Sequence, residues 1–186
     1  MRLPVHVFDW GVRDDLFVCE PGEKTALLAL IKRKQGNLEL LRRALYSRDP
    51  AYISRIKWLE MDGLAEEEYA RELRRSTAFV SLSIAEGLYV PYLEAMRCGT
   101  IVAGYSAVGA QCALIAAGAG RNCISAENGD YATLAMRLEP LLQDMLRGDC
   151  SAWQPLIRNA LDYSAQYTLE REERTIVAIW REILGA

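Results

Sequence analysis

The chain has 186 residues, of which 51% are hydrophobic and 25% are charged, and its formal net charge is −3 at pH 7. This length and composition predict one globular domain with a full hydrophobic core. The small net charge gives no reason to expect nucleic acid as a partner, and no apolar run reaches the length that spans a bilayer. The five widely spaced cysteines fit neither a disulfide framework nor a zinc site, and the single histidine, His6, has no cluster of metal ligands around it in the sequence.

Predicted strands and helices alternate along the chain. The predicted strands are residues 26–31, 56–59, 79–82, 101–105 and 122–124. The predicted helices are residues 38–45, 65–75, a short helix between Pro91 and Gly99, then 110–117, 130–147, 151–164 and 169–184. This alternation predicts an α/β fold, a single Rossmann-like domain of three layers with a parallel sheet. The four tryptophans are expected to be core or interface anchors and not platforms for sugar rings.

Residues 81–105, SLSIAEGLYVPYLEAMRCGTIVAGY, combine a strand end, a glycine turn, a short helix and a second buried strand. Two carboxylates, Glu86 and Glu94, bracket the turn and lie eight positions apart. Ligands of an open α/β sheet bind at the carboxyl ends of its strands, and amide groups at a helix N-terminus bind phosphate. A carboxylate further into the helix can accept hydrogen bonds from sugar hydroxyls. The pattern therefore favours a ligand that contains both a diphosphate and a sugar.

This stretch resembles the signature of the retaining glycosyltransferases with the GT-B fold, which consists of two Rossmann-like domains. That family carries two glutamates separated by seven residues, usually in an EGFGLP-type turn followed by a helix that begins LEAM. Here the turn reads EGLYVP and the helix reads YLEAMRCG, so Tyr89 replaces the second turn glycine.

The resemblance extends over nearly the whole chain. Residues 10–17 resemble the linker between the two domains, and residues 164–171 resemble part of the closing segment. It implies a linker-like segment over residues 1–20 and a donor-binding domain over residues 21–186, the C-terminal half of the GT-B fold. Nothing in the chain corresponds to the acceptor-binding half.

The resemblance also implies roles for individual residues. Glu94 would bind the ribose hydroxyls of a nucleotide, and Glu86 would lie near the donor sugar. Arg33 and Lys34 would stabilise the departing diphosphate. The remaining binding positions are Gly87, Leu88, Tyr89, Ser106 and Gly109. The structural alternatives are a solvated helix glutamate for Glu94, a carboxylate that caps the turn for Glu86, and a solvated charged loop for Arg33 and Lys34.

The implied activity is transfer of a glycosyl group from a nucleotide-diphosphate sugar to an unknown acceptor, with retention at the anomeric carbon and without a metal or another cofactor. An acceptor-binding domain or a separate subunit would supply the rest of the enzyme, and self-association is the alternative. The isolated chain is therefore expected to bind nucleotide and to turn over slowly or not at all.

Two other functions compete with this one. The first is a non-catalytic nucleotide-sugar-binding or scaffold module. The second is a nucleotide-sugar epimerase. The sequence of residues 86–99 disfavours it, because that stretch resembles the transferases. A cytoplasmic location is expected, with peripheral attachment to the inner membrane as the alternative.

Overall fold

The computed structural model describes residues 5–8, 10–20, 22, 24–31, 38–85, 90–106, 114 and 117–185. Within these ranges, five strands form one sheet that is flanked by seven α-helices. The strands are β1 (Thr25–Leu30), β2 (Lys57–Glu60), β3 (Ser76–Ser81), β4 (Ile101–Tyr105) and β5 (Cys123–Ala126). The helices are α1 (Leu38–Arg48), α2 (Ala51–Ser54), α3 (Glu66–Arg75), α4 (Val90–Arg97), α5 (Tyr131–Arg147), α6 (Gln154–Ser164) and α7 (Leu169–Leu184).

The sheet is parallel throughout and has the strand order β2-β1-β3-β4-β5. The chain first moves outward from β1 to β2 and then crosses back to β3 on the other side of β1. The residue opposite Leu30 is Glu60 on one side and Val80 on the other. This reversal creates a topological switch point between β1 and β3, where open α/β sheets bind ligands. The predicted fold class is confirmed.

Two hydrophobic cores cover the two faces of the sheet. Helices α1 and α5 pack on one face, and their buried leucines include Leu41, Leu45 and Leu138. Helices α3 and α4 pack on the other face through residues such as Leu73 and Leu93. Strands β3, β4 and β5 are buried along their whole length, as expected for parallel strands that are covered on both faces.

Strand β3 begins three residues earlier than the sequence predicts. Ser76 and Thr77 are polar, yet both are buried in the strand. The Ser76 hydroxyl donates to the Glu72 carbonyl at 2.7 Å, and the Thr77 hydroxyl donates to the Thr25 carbonyl at 2.6 Å. These hydrogen bonds satisfy the hydroxyl groups and allow the polar residues to enter a buried strand.

Other boundaries differ from the sequence predictions in small ways. Helix α2 was not predicted, because four residues are too few to show a helical period. The predicted helix 151–164 begins as a 3₁₀ turn, Ser151–Trp153, before α6. The predicted helix 110–117 lies mostly outside the described residues, and its two described residues, Leu114 and Ala117, are not helical.

The N-terminal segment runs along α7. The Gly11 amide donates to the Glu172 carboxylate at 2.9 Å, and Val12 forms a β-bridge with Thr168. No residue of α7 is buried, and Trp10 and Trp180 are 44% and 56% exposed. These two tryptophans are therefore not core residues. Trp58 and Trp153 do pack against the core.

Candidate nucleotide-sugar site

A cavity of about 310 Å³ opens at the carboxyl edge of the sheet. Its walls come from the residues that directly follow β1 and β2 and from the first turns of α3 and α4. The lining residues are Ile31, Met61, Gly63, Leu64, Glu66, Tyr69, Pro91 and Glu94. The cavity thus lies beside the switch point, and it combines apolar side chains with the carboxylate of Glu94.

Glu94 is a half-buried carboxylate in the second turn of α4. Burial raises its pKa from 4.5 to about 7, because the ionised form is poorly solvated in this environment. The Tyr69 hydroxyl lowers the pKa of Glu94 and so opposes this shift, and the nearby charge of Glu66 adds to the shift. A carboxylate that is costly to ionise and lies in a cleft is a characteristic feature of functional sites.

The start of α4 is held firmly against the sheet. The buried Tyr92 hydroxyl lies 3.2 Å from the Tyr105 carbonyl oxygen and 3.4 Å from that of Ser81, so it donates at the ends of both β4 and β3. The close approach requires a glycine at position 104, since a Cβ atom there would lie 2.6 Å from the Tyr92 hydroxyl. This anchor sets the position of Glu94 relative to the sheet edge.

Among the predicted site residues, only Glu94 and Ser106 lie in the described part of the chain. The Ser106 amide donates to the Ala126 carbonyl at 3.1 Å, just beyond the end of β4. Its hydroxyl oxygen is buried and has no hydrogen-bond partner among the residues that the structure describes. The other predicted residues, Glu86, Gly87, Leu88, Tyr89, Arg33, Lys34 and Gly109, lie outside the described residues.

The sequence did not single out several cavity residues, among them Ile31, Met61 and Tyr69. The clearest available signal was Tyr69, an aromatic residue in the otherwise charged helix EEEYARELRR. Glu66 lies one turn before Tyr69 on the same helix, so both can reach the cavity.

A larger cavity, of about 640 Å³, lies at the opposite edge of the sheet. It is lined by Lys24 and Ile101 at the starts of strands and by Gly99 and Gly148 just after the ends of α4 and α5. The C-terminal ends of helices carry partial negative charge, which disfavours an anionic ligand. The Lys24 ammonium donates to the carbonyl oxygens of Arg74 and Cys98 and to the Thr100 hydroxyl, so it stabilises these helix ends. The smaller cavity, at the carboxyl edge of the sheet, is therefore the candidate ligand site.

The carboxylate of Glu94 should destabilise the fold above neutral pH. Its pKa is higher in the folded state than in the unfolded state, so the folded state binds more protons between pH 4.5 and 7. Stability is then lost as the pH rises through this window. We expect Glu94→Gln to raise the free energy of unfolding at pH 8 by about 2 kcal/mol relative to the original protein, and by little at pH 4.5.

Urea unfolding at the two pH values measures this difference. Glu67→Gln is the matched control, because Glu67 is an exposed glutamate in the first turn of α3 and does not line the cavity. An equal effect of the two substitutions at pH 8 would contradict the prediction.

A sequence model of the family described as glycosyl transferases group 1 matches residues 24–144. The match covers more than half of the chain, including every strand of the described sheet and the cavity. The chain belongs to this family.

Solved structures show the same fold in other glycosyltransferases. Sucrose-phosphate synthase from Thermosynechococcus elongatus is 17% identical with a TM-score of 0.71, and the match covers 95% of this chain and 52% of that one. HepE from Anabaena, in complex with UDP, is 15% identical with a TM-score of 0.67. The match covers 92% of this chain and 56% of the HepE chain. The C-terminal domain of a group 1 protein, LpcC from Francisella tularensis, is 16% identical with a TM-score of 0.62, and the match covers 86% and 100%.

This group 1 domain has the fold of the C-terminal half of a GT-B protein, and the predicted resemblance is confirmed. It spans about half of the length of the sucrose-phosphate synthase and HepE chains. No curated protein sequence matches the chain with significance. Within the described part of the domain, none of the helices combines the length and the apolar character that crossing a bilayer requires.

Proposed function

We propose that this domain binds the donor in a glycosyltransferase that uses a nucleotide-diphosphate sugar. The observation that carries the proposal is the half-buried carboxylate of Glu94 in a cavity at the carboxyl edge of the sheet. HepE has been solved with UDP and with UDP-glucose, and starch synthase IV from Arabidopsis thaliana with ADP and acarbose. These relatives support a nucleotide-sugar donor, although they share only the fold with this chain.

The cavity suits a nucleoside. Its volume, about 310 Å³, is near the lower end of the range for small-molecule sites. Ile31, Met61 and Leu64 offer apolar contacts to a flat base, and Glu94 can accept hydrogen bonds from two neighbouring ribose hydroxyls. The cost of ionising a buried carboxylate is offset when it gains these hydrogen-bond donors.

The diphosphate and the sugar would lie beyond the cavity, nearer to the start of α4. We propose that the amides of Gly87, Leu88 and Tyr89 bind the diphosphate, that Glu86 positions the sugar, and that Ser106 and Gly109 contact the donor from the neighbouring loop. The positive end of the α4 dipole favours a diphosphate at this position.

The chemistry we propose is transfer with retention and without a metal. Negative charge builds on the leaving diphosphate as the glycosidic bond breaks, and preorganised cations at that position lower the barrier. Arg33 and Lys34 would supply this charge, so that no divalent ion is needed to neutralise the leaving group.

The substitutions Arg33→Ala and Lys34→Ala test whether these side chains contact the diphosphate or the nucleoside part of the ligand. Each substitution removes one charge-assisted contact, so we expect UDP binding to weaken about tenfold and uridine binding to change less than twofold. Calorimetric titration with both ligands measures the difference. Arg55→Ala is the control, because Arg55 follows α2, away from the residues that line the cavity. Equal losses for UDP and uridine would argue against contact with the diphosphate.

We further propose that an acceptor-binding domain or subunit packs against α7 and the N-terminal segment, with self-association as the alternative. The exposed apolar residues of this surface include Val5, Phe8, Trp180, Ile183 and Leu184. Several large apolar side chains exposed along one helix and the segment beside it are characteristic of a protein interface. The match covers only about half of the sucrose-phosphate synthase and HepE chains, which supports the same proposal.

Calorimetric titration of the purified chain with UDP, GDP and ADP and with their sugar conjugates tests the central proposal. Saturable binding of one nucleotide is the expected result, and it would also identify the base. Absence of binding at millimolar nucleotide would overturn the donor-site proposal for the chain as it stands. The scaffold alternative predicts binding without transfer, even when an acceptor domain is supplied in trans.

A further inference from the structure

Tyr69 connects the N-terminal segment of the chain to the cavity around Glu94. Its side chain lines the cavity together with Glu94, and its hydroxyl oxygen is buried. On its other side, its ring packs edge-on against Phe17, with ring centroids 6.0 Å apart and an interplanar angle of 71°. The tyrosine is therefore held between a ligand cavity and a segment that lies outside the sheet.

Phe17 is itself firmly placed. It is only 1% exposed, and its amide donates to the Arg13 carbonyl at 2.9 Å. The guanidinium of Arg74, near the end of α3, donates to the carbonyl of the preceding residue, Leu16, at 2.7 Å. Packing and hydrogen bonds thus fix the aromatic ring that supports Tyr69.

The same N-terminal segment also controls charge near the cavity. The Arg13 guanidinium donates to the Glu66 carboxylate at 2.7 Å. Among the described residues, Tyr69 and Glu66 of α3 are the ionisable groups that act on the Glu94 carboxylate from a neighbouring element, and the Cys98 thiol interacts with it from the end of α4. Arg13 therefore partly neutralises the one acidic group of α3 that opposes ionisation of Glu94.

We infer that Tyr69 is a positioning residue: its hydroxyl orients the Glu94 carboxylate toward the cavity, while Phe17 holds the tyrosine ring in place. The inference rests on the proposed role of Glu94 in nucleotide binding. It adds a residue of α3 and a segment of the N-terminus to the donor site. Any partner that displaces residues 12–17 would consequently alter binding at Glu94.

Tyr69→Phe tests this inference, because phenylalanine keeps the ring and its contact with Phe17 but removes the hydroxyl. Loss of the hydroxyl that favours the ionised carboxylate should raise the pKa of Glu94 by about half a pH unit. NMR titration of the Glu94 carboxyl carbon without ligand measures this directly, with Glu94→Gln to assign the signal. The UDP dissociation constant should rise about 2.5-fold at pH 6.5 and change little at pH 8.5.

Tyr163→Phe is the matched control. The Tyr163 hydroxyl lies 2.8 Å from the Tyr167 hydroxyl, so the substitution removes a tyrosine hydrogen bond away from the cavity. It should change neither the titration of Glu94 nor the pH dependence of UDP binding. An unchanged Glu94 titration in Tyr69→Phe would overturn the inference, whatever UDP does. A shifted titration with an unchanged pH profile of UDP binding would also overturn it.

The two proposals can fail separately. If the original protein binds no nucleotide, the donor-site proposal fails, and the ligand-free titration still decides whether Tyr69 acts on Glu94. Thermal unfolding of both phenylalanine variants shows whether a global loss of stability accounts for any change. A merely structural role for Tyr69 would lower stability without moving the titration of Glu94.

Discussion

Replacing Glu94 by alanine is expected to weaken nucleotide binding by about a hundredfold. The substitution removes an acceptor that we propose forms two charge-assisted hydrogen bonds with ribose hydroxyls, and the loss of such a pair corresponds to about 3 kcal/mol. Calorimetric titration with the nucleotide that the original protein binds measures the loss. The effect should be larger at pH 8 than at pH 6, because Glu94, with a pKa of about 7, is mostly protonated at pH 6.

Loss of fold does not explain the expected result. Removing a half-buried carboxylate should stabilise the domain at pH 8, so binding and stability are predicted to change in opposite directions. Glu67→Ala is the control, since it removes an exposed carboxylate from the same edge of the domain. If Glu94→Ala binds nucleotide within about threefold of the original protein, then Glu94 is a solvated helix residue and not a ligand-binding one.

Gly104→Ala is expected to destabilise the domain by at least about 4 kcal/mol. Gly104 lies in β4 with φ of +154°, and a Cβ atom there would lie 2.0 Å from the Ser81 carbonyl oxygen. It would also lie 2.6 Å from the Tyr92 hydroxyl. A backbone atom cannot move away without breaking the β3–β4 pairing, so the clash must separate two central strands or displace α4. Urea unfolding measures the change.

The matched control is Gly22→Ala, because a Cβ atom at Gly22 would meet no atom of the other described residues within 4 Å. That substitution should change the free energy of unfolding by less than about 0.5 kcal/mol. If Gly104→Ala folds with near-normal stability, the packing of α4 against β3 and β4 must tolerate the displacement of Tyr92. Nucleotide affinity then becomes the informative measurement, because a shifted α4 would move Glu94.

These two predictions describe different parts of one arrangement. Glu94 is expected to oppose stability, as buried charges do, and we propose that it provides the acceptor for the ligand. Tyr92 and Gly104 supply the close packing that keeps this carboxylate at the edge of the sheet. A site built in this way combines a rigid support with a group that is stable only when its ligand or a proton satisfies it.

Local patterns were sufficient for most of the fold. Helix α5 follows a capping residue, Asp130, whose carboxylate accepts from the Thr133 amide at 2.9 Å, and it ends before Gly148 at φ 75°. Strand β4 is an apolar run of five residues, and its bounds agree with the prediction. Such signals lie within a few residues of one another, so they can be read without knowing the tertiary structure. The start of β3 was missed because its polar residues depend on acceptors from other elements.

The sequence by itself determined the alternation of strands and helices, the parallel sheet, and the position of Glu94 near the start of a helix that follows a central strand. Only the tertiary structure decided what surrounds Glu94. Ile31, Met61 and Tyr69 come from three separate segments, and they meet because β1, β2 and α3 end or begin at the same edge of the sheet. The position of Phe17 against Tyr69 has the same origin. Helical periodicity and capping patterns depend only on residues that are close in sequence. Burial depends on packing between distant segments, and the raised pKa of Glu94 follows from that burial.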